Sequence, residues 1–177
     1  KIYGAGLKPA AYTRSAHQQE FHFLPAAAPV MMTLHFDNGI WTKTPSGWEN
    51  KPKSELKEAI ESGHSEKFAK MIFAWEAGLS KPTGDLALEI VPLNNPLDAQ
   101  AKTVRFEVLH HGKPVQNAVI ETGEHGKGFK SEGAVVEVPA KPGFNLISAA
   151  VKLPGDQPGL NHHTLTAVLV YDRGGNE

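Results

Sequence analysis

The sequence predicts a mainly β fold: an immunoglobulin-like antiparallel β-sandwich in the C-terminal half, preceded by a partial sheet and a short helical insertion. From residue 86 onward, short segments of alternating apolar and polar residues recur at regular spacing. Turn-forming Gly, Pro and Asn residues separate these segments. Half a dozen strands with such punctuation are typical of an antiparallel sandwich.

Composition excludes several classes of function. The 177 residues suffice for one large domain or two small ones. A formal net charge of -1 provides no broad basic field for nucleic acid or an anionic membrane. Cysteine is absent, which excludes disulfides, thiolate metal sites and a cysteine nucleophile. The chain contains no apolar run near the roughly 20 residues that a membrane span needs.

The N-terminal part reads as a small sheet. Residues 1–16 are polar and turn-prone and carry no assignment. The pattern of residues 18–24 predicts a strand, and residues 30–36 and 40–44 predict two more. The sequence Asp37-Asn38-Gly39 favours a tight turn, because Asn and Gly tolerate positive φ. We therefore expect the last two strands to form a hairpin.

Residues 54–76 predict a helical segment. The segment is rich in Glu, Lys and Ala, and its apolar residues recur at helical spacing: Leu56, Ile60, Phe68, Met71, Ile72 and Trp75. Gly63 interrupts the pattern, which leaves two short helices or one kinked helix as alternatives. Gly78 is a plausible C-terminal stop. The predicted organisation is an N-terminal region of residues 1–78 and a sandwich of residues 79–177.

The predicted strands of the sandwich follow one another at short intervals. They cover residues 86–91, 103–109, 115–121, 135–138, 145–151 and 164–171. Residues 104, 106 and 108 alternate with 105, 107 and 109, as expected of a strand with one buried face.

Two of the three tryptophans lie in the loop-rich stretch of residues 37–53. Exposed Trp is unusual, so Trp41 and Trp48 either plug a core or present an aromatic surface to a partner. Lys43 lies between them and would contribute charge to such a surface. Both interpretations remain open at the level of sequence.

The chain has nine histidines, many for its length. Neutral imidazole suits nickel and cobalt, and a site needs two or more histidines that converge. The adjacent pairs His110–His111 and His162–His163 are the best local sources, with His64 and His22 as further candidates. Neighbours on a strand point to opposite faces, so each pair offers one ligand unless it lies in a turn. The alternative for any single histidine is a partly exposed polar side chain.

The sequence gives little support to catalysis. It contains no Gly-x-Ser-x-Gly elbow and no His-Glu-x-x-His motif. The glutamates at 55, 58, 61 and 66 have lysines interspersed among them, as on a solvated helix face. We therefore expect a protein that is not an enzyme.

Several segments resemble those of a known family. They are Gly-Ile-Trp-Thr-Lys-Thr-Pro at 39–45, Leu-Glu-Ile-Val-Pro-Leu at 88–93, His-Gly-Lys-Pro-Val at 111–115, Lys-Pro-Gly at 141–143 and Leu-Thr-Ala-Val-Leu at 165–169. In this order they resemble a bacterial family of β-rich periplasmic domains of unassigned function, associated with nickel or cobalt uptake. The resemblance implies export to the periplasm and a non-enzymatic part in metal uptake. The chain begins at Lys1 rather than Met, and we expect a signal peptide to have been removed.

Two functional hypotheses follow. In the first, the protein assists uptake of Ni²⁺ or Co²⁺ by binding the ion through its histidines or by docking on a membrane transporter. In the second, a periplasmic sandwich binds protein or glycan through Trp41, Lys43 and Trp48. Neither hypothesis involves nucleic acid or a transmembrane segment of this chain.

Overall fold

The computed structural model describes residues 1–17, 20–123, 126 and 128–174. These residues form β-sheets joined by turns and three short 3₁₀ helices, at Ala5–Leu7, Lys53–Glu55 and Ala77–Ser80. The mainly β class is therefore confirmed. The helical insertion is wrong, since the described part of residues 54–76 contains a long strand and no α-helix. None of the helices in the described residues has the length and apolar character needed to span a bilayer.

The strands, in chain order, are β1 (Ile2–Tyr3), β2 (Tyr12–His17), β3 (Glu20–Pro25), β4 (Met31–Thr44), β5 (Gly47–Glu49), β6 (Glu61–Ile72), β7 (Leu88–Pro92), β8 (Thr103–His110), β9 (Lys113–Pro114), β10 (Val119–Thr122), β11 (Phe129–Lys130), β12 (Val135–Pro139), β13 (Phe144–Pro154) and β14 (His162–Asp172). The strands predicted after residue 85 are found with shifted ends, and the one predicted at 115–121 is replaced by β9 and β10. The first two residues of the strand predicted at 18–24 lie outside the described residues.

Three sheets organise these strands. The large sheet has the order β1-β4-β6-β14-β13-β10-β11, with β5 paired to β4. A smaller sheet has the order β12-β8-β7, with β9 paired to β8, and β2 pairs with β3 alone. Among the described strands the pairing is antiparallel apart from β6 and β14, which run parallel. Strands from both sides of residue 78 thus share the large sheet, and a division at that point stays a prediction, as does an immunoglobulin-like connectivity.

The hydrophobic core lies between the large sheet and the smaller sheet. Phe68, Leu165 and Leu169 of the large sheet belong to one buried cluster with Leu88 and Phe106 of the smaller one. Residues two apart on a strand share a face, so the positions of these side chains define the inner face of each strand. The opposite, outer face of the large sheet carries half-exposed and exposed side chains.

Strand β6 is found where the sequence predicts a helix. Its inward residues alternate with period two, but only Phe68 and Ile72 among them are apolar. The other inward positions hold polar residues: Ser62, His64, Glu66 and Lys70. These polar residues conceal the alternation that identifies a strand. The strand lies between β4 and β14 and pairs with both along almost its whole length. This pairing overrides the local helix propensity of Glu, Lys and Ala.

The predicted turn at Asp37-Asn38-Gly39 is a β-bulge instead. Strand β4 runs through it without reversing, and its register against β6 shifts between Asp37, opposite Glu66, and Ile40, opposite His64. Three steps along β4 therefore match two along β6, so one extra residue is accommodated. Gly39 takes the positive φ of 75° that made a turn plausible. The turn at Pro45-Ser46 does reverse the chain, into β5.

A buried ion pair connects β6 to β7. The Lys70 ammonium contacts the Glu89 carboxylate, and the two side chains are only 1% and 2% exposed. Glu89 also accepts hydrogen bonds from the Thr83 backbone N–H at 3.0 Å and from its hydroxyl at 3.1 Å. Burial lowers the pKa of Lys70, and the attraction of Glu89 opposes that shift. Each of these buried charges is stabilised by the other, and removal of one partner leaves an unpaired charge in the protein interior.

Candidate metal centre

One group of three potential metal ligands stands out on the inner face of the large sheet. It comprises His64 and Glu66 of β6 and His163 of β14, which we call the inner-face cluster. Alternation places His64 and Glu66 on the same face as the core residue Phe68. The parallel register sets His163 directly opposite His64. The pairing of β6 with β14 therefore brings together side chains almost 100 residues apart in the sequence.

The cluster is compact and partly shielded. Potential ligand atoms of the three residues all lie within 4.8 Å of one another. Nε2 of His163 lies 2.8 Å from Oε2 of Glu66, and the rings of His64 and His163 stack with centroids 4.6 Å apart at an interplanar angle of 11°. The side chains are 13% to 17% exposed. Solvent therefore still reaches a group that is largely surrounded by protein.

This arrangement suits a transition-metal ion. Two ligands on adjacent coordination positions, each about 2.0–2.2 Å from the metal, are separated by about 3 Å. The 2.8 Å between His163 Nε2 and Glu66 Oε2 is close to this value, so an ion can take the place of the shared proton. Two imidazoles and a carboxylate form a mixed nitrogen and oxygen donor set, which suits nickel and cobalt better than calcium or magnesium.

Further polar side chains orient the cluster. Asp37 Oδ1 accepts a hydrogen bond from His64 Nε2 at 2.7 Å, and Glu66 Oε1 accepts one from His35 Nε2 at 2.7 Å. Asp156 Oδ2 lies 3.8 Å from His163 Nδ1. Carboxylates that fix the tautomer of a ligating histidine are common around metal sites. Two hydrogen bonds lower the pKa of Asp37, the larger effect from His64 and the smaller from the Gly39 backbone N–H. The ionised carboxylate therefore adds negative charge beside the cluster.

The bulge in β4 positions Asp37 for this contact, and Gly39 makes the bulge possible. We expect Gly39→Ala to lower the free energy of unfolding by about 1 kcal/mol, because a Cβ is disfavoured at a φ of 75°. Urea denaturation with an unchanged slope measures this effect. Gly133→Ala is the matched control, since a Cβ there meets no atom within 4 Å. Equal stability of the two variants would contradict the assignment of strain to Gly39.

The side chains of the neighbouring residues His162 and His163 point to opposite faces of the sheet, as expected on a strand. His163 enters the inner-face cluster, whereas His162 lies on the outer face against Gly63, where a Cβ would come within 2.2 Å of its Nε2. Nδ1 of His162 lies 3.1 Å from Glu61 Oε1. His162 is therefore not brought into the cluster.

The pair His110–His111 behaves differently because it does lie at a turn. The two rings contact each other, with centroids 4.5 Å apart. Burial is the main cause of the lowered pKa of His110, and the charges of His111 and then His163 lower it further. His163 is therefore an electrostatic neighbour of His110. His22 lies on β3 in the separate two-stranded sheet, opposite Ser15, outside the inner-face cluster.

The candidate partner-binding residues lie on the other face of the large sheet. Trp41 pairs with Gly63, and Lys43 pairs with both Glu61 and Trp48. We call Trp41, Lys43 and Trp48 the outer-face aromatic patch. Trp48 is 49% exposed, whereas Trp41 is half-buried and its Nε1 donates a hydrogen bond to the Asn38 carbonyl at 2.9 Å. Trp48 is therefore no core plug.

Sequence reasoning missed Glu66, Asp37 and His35 as parts of the site. The sequence places Glu66 in a predicted helix and Asp37 in a predicted turn. A signal was present: His35-x-Asp37 and His64-x-Glu66 both place two polar side chains two residues apart, hence on one face if the segment is a strand. The helix assignment concealed the second pair.

Comparisons with known proteins give a family but no activity. The model of a family described as "Domain of unknown function (DUF4198)" matches residues 5–150. An uncharacterized protein of Haemophilus influenzae is 35% identical over 122 residues, which are 67% of this chain and 52% of that protein. The chain thus spans about half the length of this curated relative. No solved structure matches the chain.

Proposed function

Since the chain belongs to this family of domains of unknown function, we propose from the site itself that the protein binds a transition-metal ion, nickel or cobalt, at the inner-face cluster. The observation that carries the proposal is the convergence of His64, Glu66 and His163, with potential ligand atoms within 4.8 Å. Three ligands leave coordination positions for water or for an accepting partner. A carrier can pass its ion to a partner through such a position.

The surroundings of the cluster support binding of a cation. Asp37 and Asp156 lie beside the two imidazoles, and no Lys or Arg forms an ion pair with Glu66 among the described residues. A carboxylate whose partners are histidines is available to a metal ion, because the ion replaces protons and not a fixed positive charge.

Isothermal titration with Ni²⁺ and Co²⁺ tests this proposal, with Mg²⁺ and Ca²⁺ as controls. The imidazole-containing donor set predicts saturable heat for the first two ions and none for the hard cations, which prefer oxygen ligands. If Ni²⁺ and Co²⁺ give no more heat than they give with the His64→Ala, His163→Ala double variant, the cluster is not a metal site.

The place of the protein in metal uptake is a separate part of the proposal. The resemblance to nickel- and cobalt-uptake domains supports a periplasmic location and delivery of the ion to a membrane transporter. Osmotic-shock fractionation of cells that express the protein tests the location. Recovery in the cytoplasmic fraction would contradict it.

A second candidate function is protein or glycan binding through the outer-face aromatic patch. The observation that favours it is the 49% exposure of Trp48, since large aromatic side chains on a surface are common at interfaces. The patch and the inner-face cluster lie on opposite faces of one sheet, so the two functions can be tested separately.

We expect the Trp41→Ala, Trp48→Ala double variant to lose capture of such a partner while Ni²⁺ binding stays unchanged. Loss of two aromatic anchors removes at least about 2 kcal/mol of binding free energy, or about 30-fold in affinity. Pull-down from a periplasmic extract, followed by titration of the captured partner, measures the effect. A folded double variant that captures the same partner would refute this role of the patch.

A further inference from the structure

A two-residue turn joins β8 to β9 and carries a histidine. His111 and Gly112 have φ values of 48° and 74°, and His110 pairs with Lys113 across the turn. Positive φ at both central residues is the requirement of a type I′ hairpin, for which Asn-Gly is the favoured sequence. Asn satisfies this backbone at low cost. His, like Asn, adopts positive φ more readily than most residues, so the backbone permits an imidazole at position 111 but does not require one.

The left-handed conformation of His111 has a consequence for the side chains. On a regular strand, adjacent residues point to opposite faces, yet the rings of His110 and His111 lie with centroids 4.5 Å apart and planes at 45°. We call this pair the histidine turn. Because the two rings are in contact, ring nitrogens of both side chains are available on the same side of the turn.

The histidine turn is located beside the inner-face cluster. Phe106, Val108 and His110 are each two residues apart on β8 and therefore share one face of the strand. Phe106 and Val108 are buried against the large sheet. The side chain of His110 therefore begins on the face of β8 that is directed toward β6 and β14. The influence of His163 on the pKa of His110 agrees with this placement. The two groups of histidines therefore start from the facing surfaces of the two sheets, with His163 as an electrostatic neighbour of His110.

Building on the proposed function, we propose that His110 and His111 form a second, weaker binding position for Ni²⁺ or Co²⁺, adjacent to the inner-face cluster. Two imidazoles supply ligands and water completes the coordination. The position is weaker because it lacks the third ligand and the negative charge that Glu66 provides to the cluster. An ion bound at the histidine turn can then be transferred to the inner-face cluster.

Equilibrium dialysis and isothermal titration of the whole chain with Co²⁺ test the proposal. We expect two classes of site in the wild-type protein, with the weaker one at least about 10-fold weaker. The His110→Gln, His111→Asn variant should bind one equivalent and retain the tighter class. His111→Asn keeps a turn-compatible residue, so loss of the weaker class reports the imidazoles and not the fold. His22→Gln is the control and should retain both classes.

The outcomes separate this proposal from the proposed function. Loss of the tighter class alone in the His64→Ala, His163→Ala variant supports both. If the wild type shows one class and it disappears with the histidine-turn variant, the histidine turn binds metal and the inner-face cluster does not. If the histidine-turn variant retains every class that the wild type shows, the second position does not exist.

Discussion

Replacing His64 and His163 together by alanine is expected to weaken binding of Ni²⁺ at the tighter site by more than about 100-fold. Loss of a side chain that only orients a ligand typically costs about 10- to 100-fold in metal affinity. Removal of two of three ligands must exceed that cost. Asp37→Asn, which keeps the size of the side chain but removes the charge beside His64, is expected to cost about 10-fold. Competition titration with a chelator of known affinity measures both effects.

The matched control for this prediction is His162→Gln. His162 is the sequence neighbour of His163 but lies on the outer face, against Gly63. We expect its affinity for Ni²⁺ at the tighter site to equal that of the wild type. If His162→Gln weakens binding as much as the double variant does, general disturbance of β14 and not loss of ligands explains the result.

Replacing Lys70 by alanine is expected to lower the free energy of unfolding by about 3–5 kcal/mol, since it leaves the buried carboxylate of Glu89 without its counter-charge. The Thr83 hydrogen bonds remain but do not neutralise the charge. Replacing both partners, as Lys70→Met with Glu89→Leu, is expected to cost much less, because no unpaired charge is then buried. Urea denaturation with a double-mutant cycle separates these terms.

Lys67→Ala provides the control for this second prediction. Lys67 lies on the same strand, three residues away, and is exposed. Its replacement is expected to change the free energy of unfolding by no more than about 0.5 kcal/mol. Similar costs at both positions would show that loss of a lysine from β6, and not the ion pair, determines stability.

The sequence predicted the C-terminal strands well because their inward residues are apolar. In β8, inward residues such as Phe106 alternate with polar neighbours, and the period is visible without tertiary information. In β6, the inward positions carry His64, Glu66 and Lys70, and the same period disappears. The failure therefore falls on the strand that contributes most to the candidate site, as expected where function and local pattern conflict.

The site itself depends on pairings that no local pattern contains. The histidines at 64 and 163 were candidates on composition, but their contact requires the parallel pairing of β6 with β14. The rule that strand neighbours face apart predicted that only one of His162 and His163 can be a ligand, and it allowed the exception at a turn that His110 and His111 show. The role of Asp37 depended on a bulge, which the sequence Asp-Asn-Gly does not distinguish from a turn.

The most direct test of the central claim is a crystal of the protein grown with Ni²⁺ and measured at the nickel absorption edge. We expect an anomalous peak within bonding distance, about 2.0–2.2 Å, of His64, Glu66 and His163. A well-occupied nickel ion bound only elsewhere, with these three side chains still hydrogen-bonded as in the ion-free protein, would contradict it.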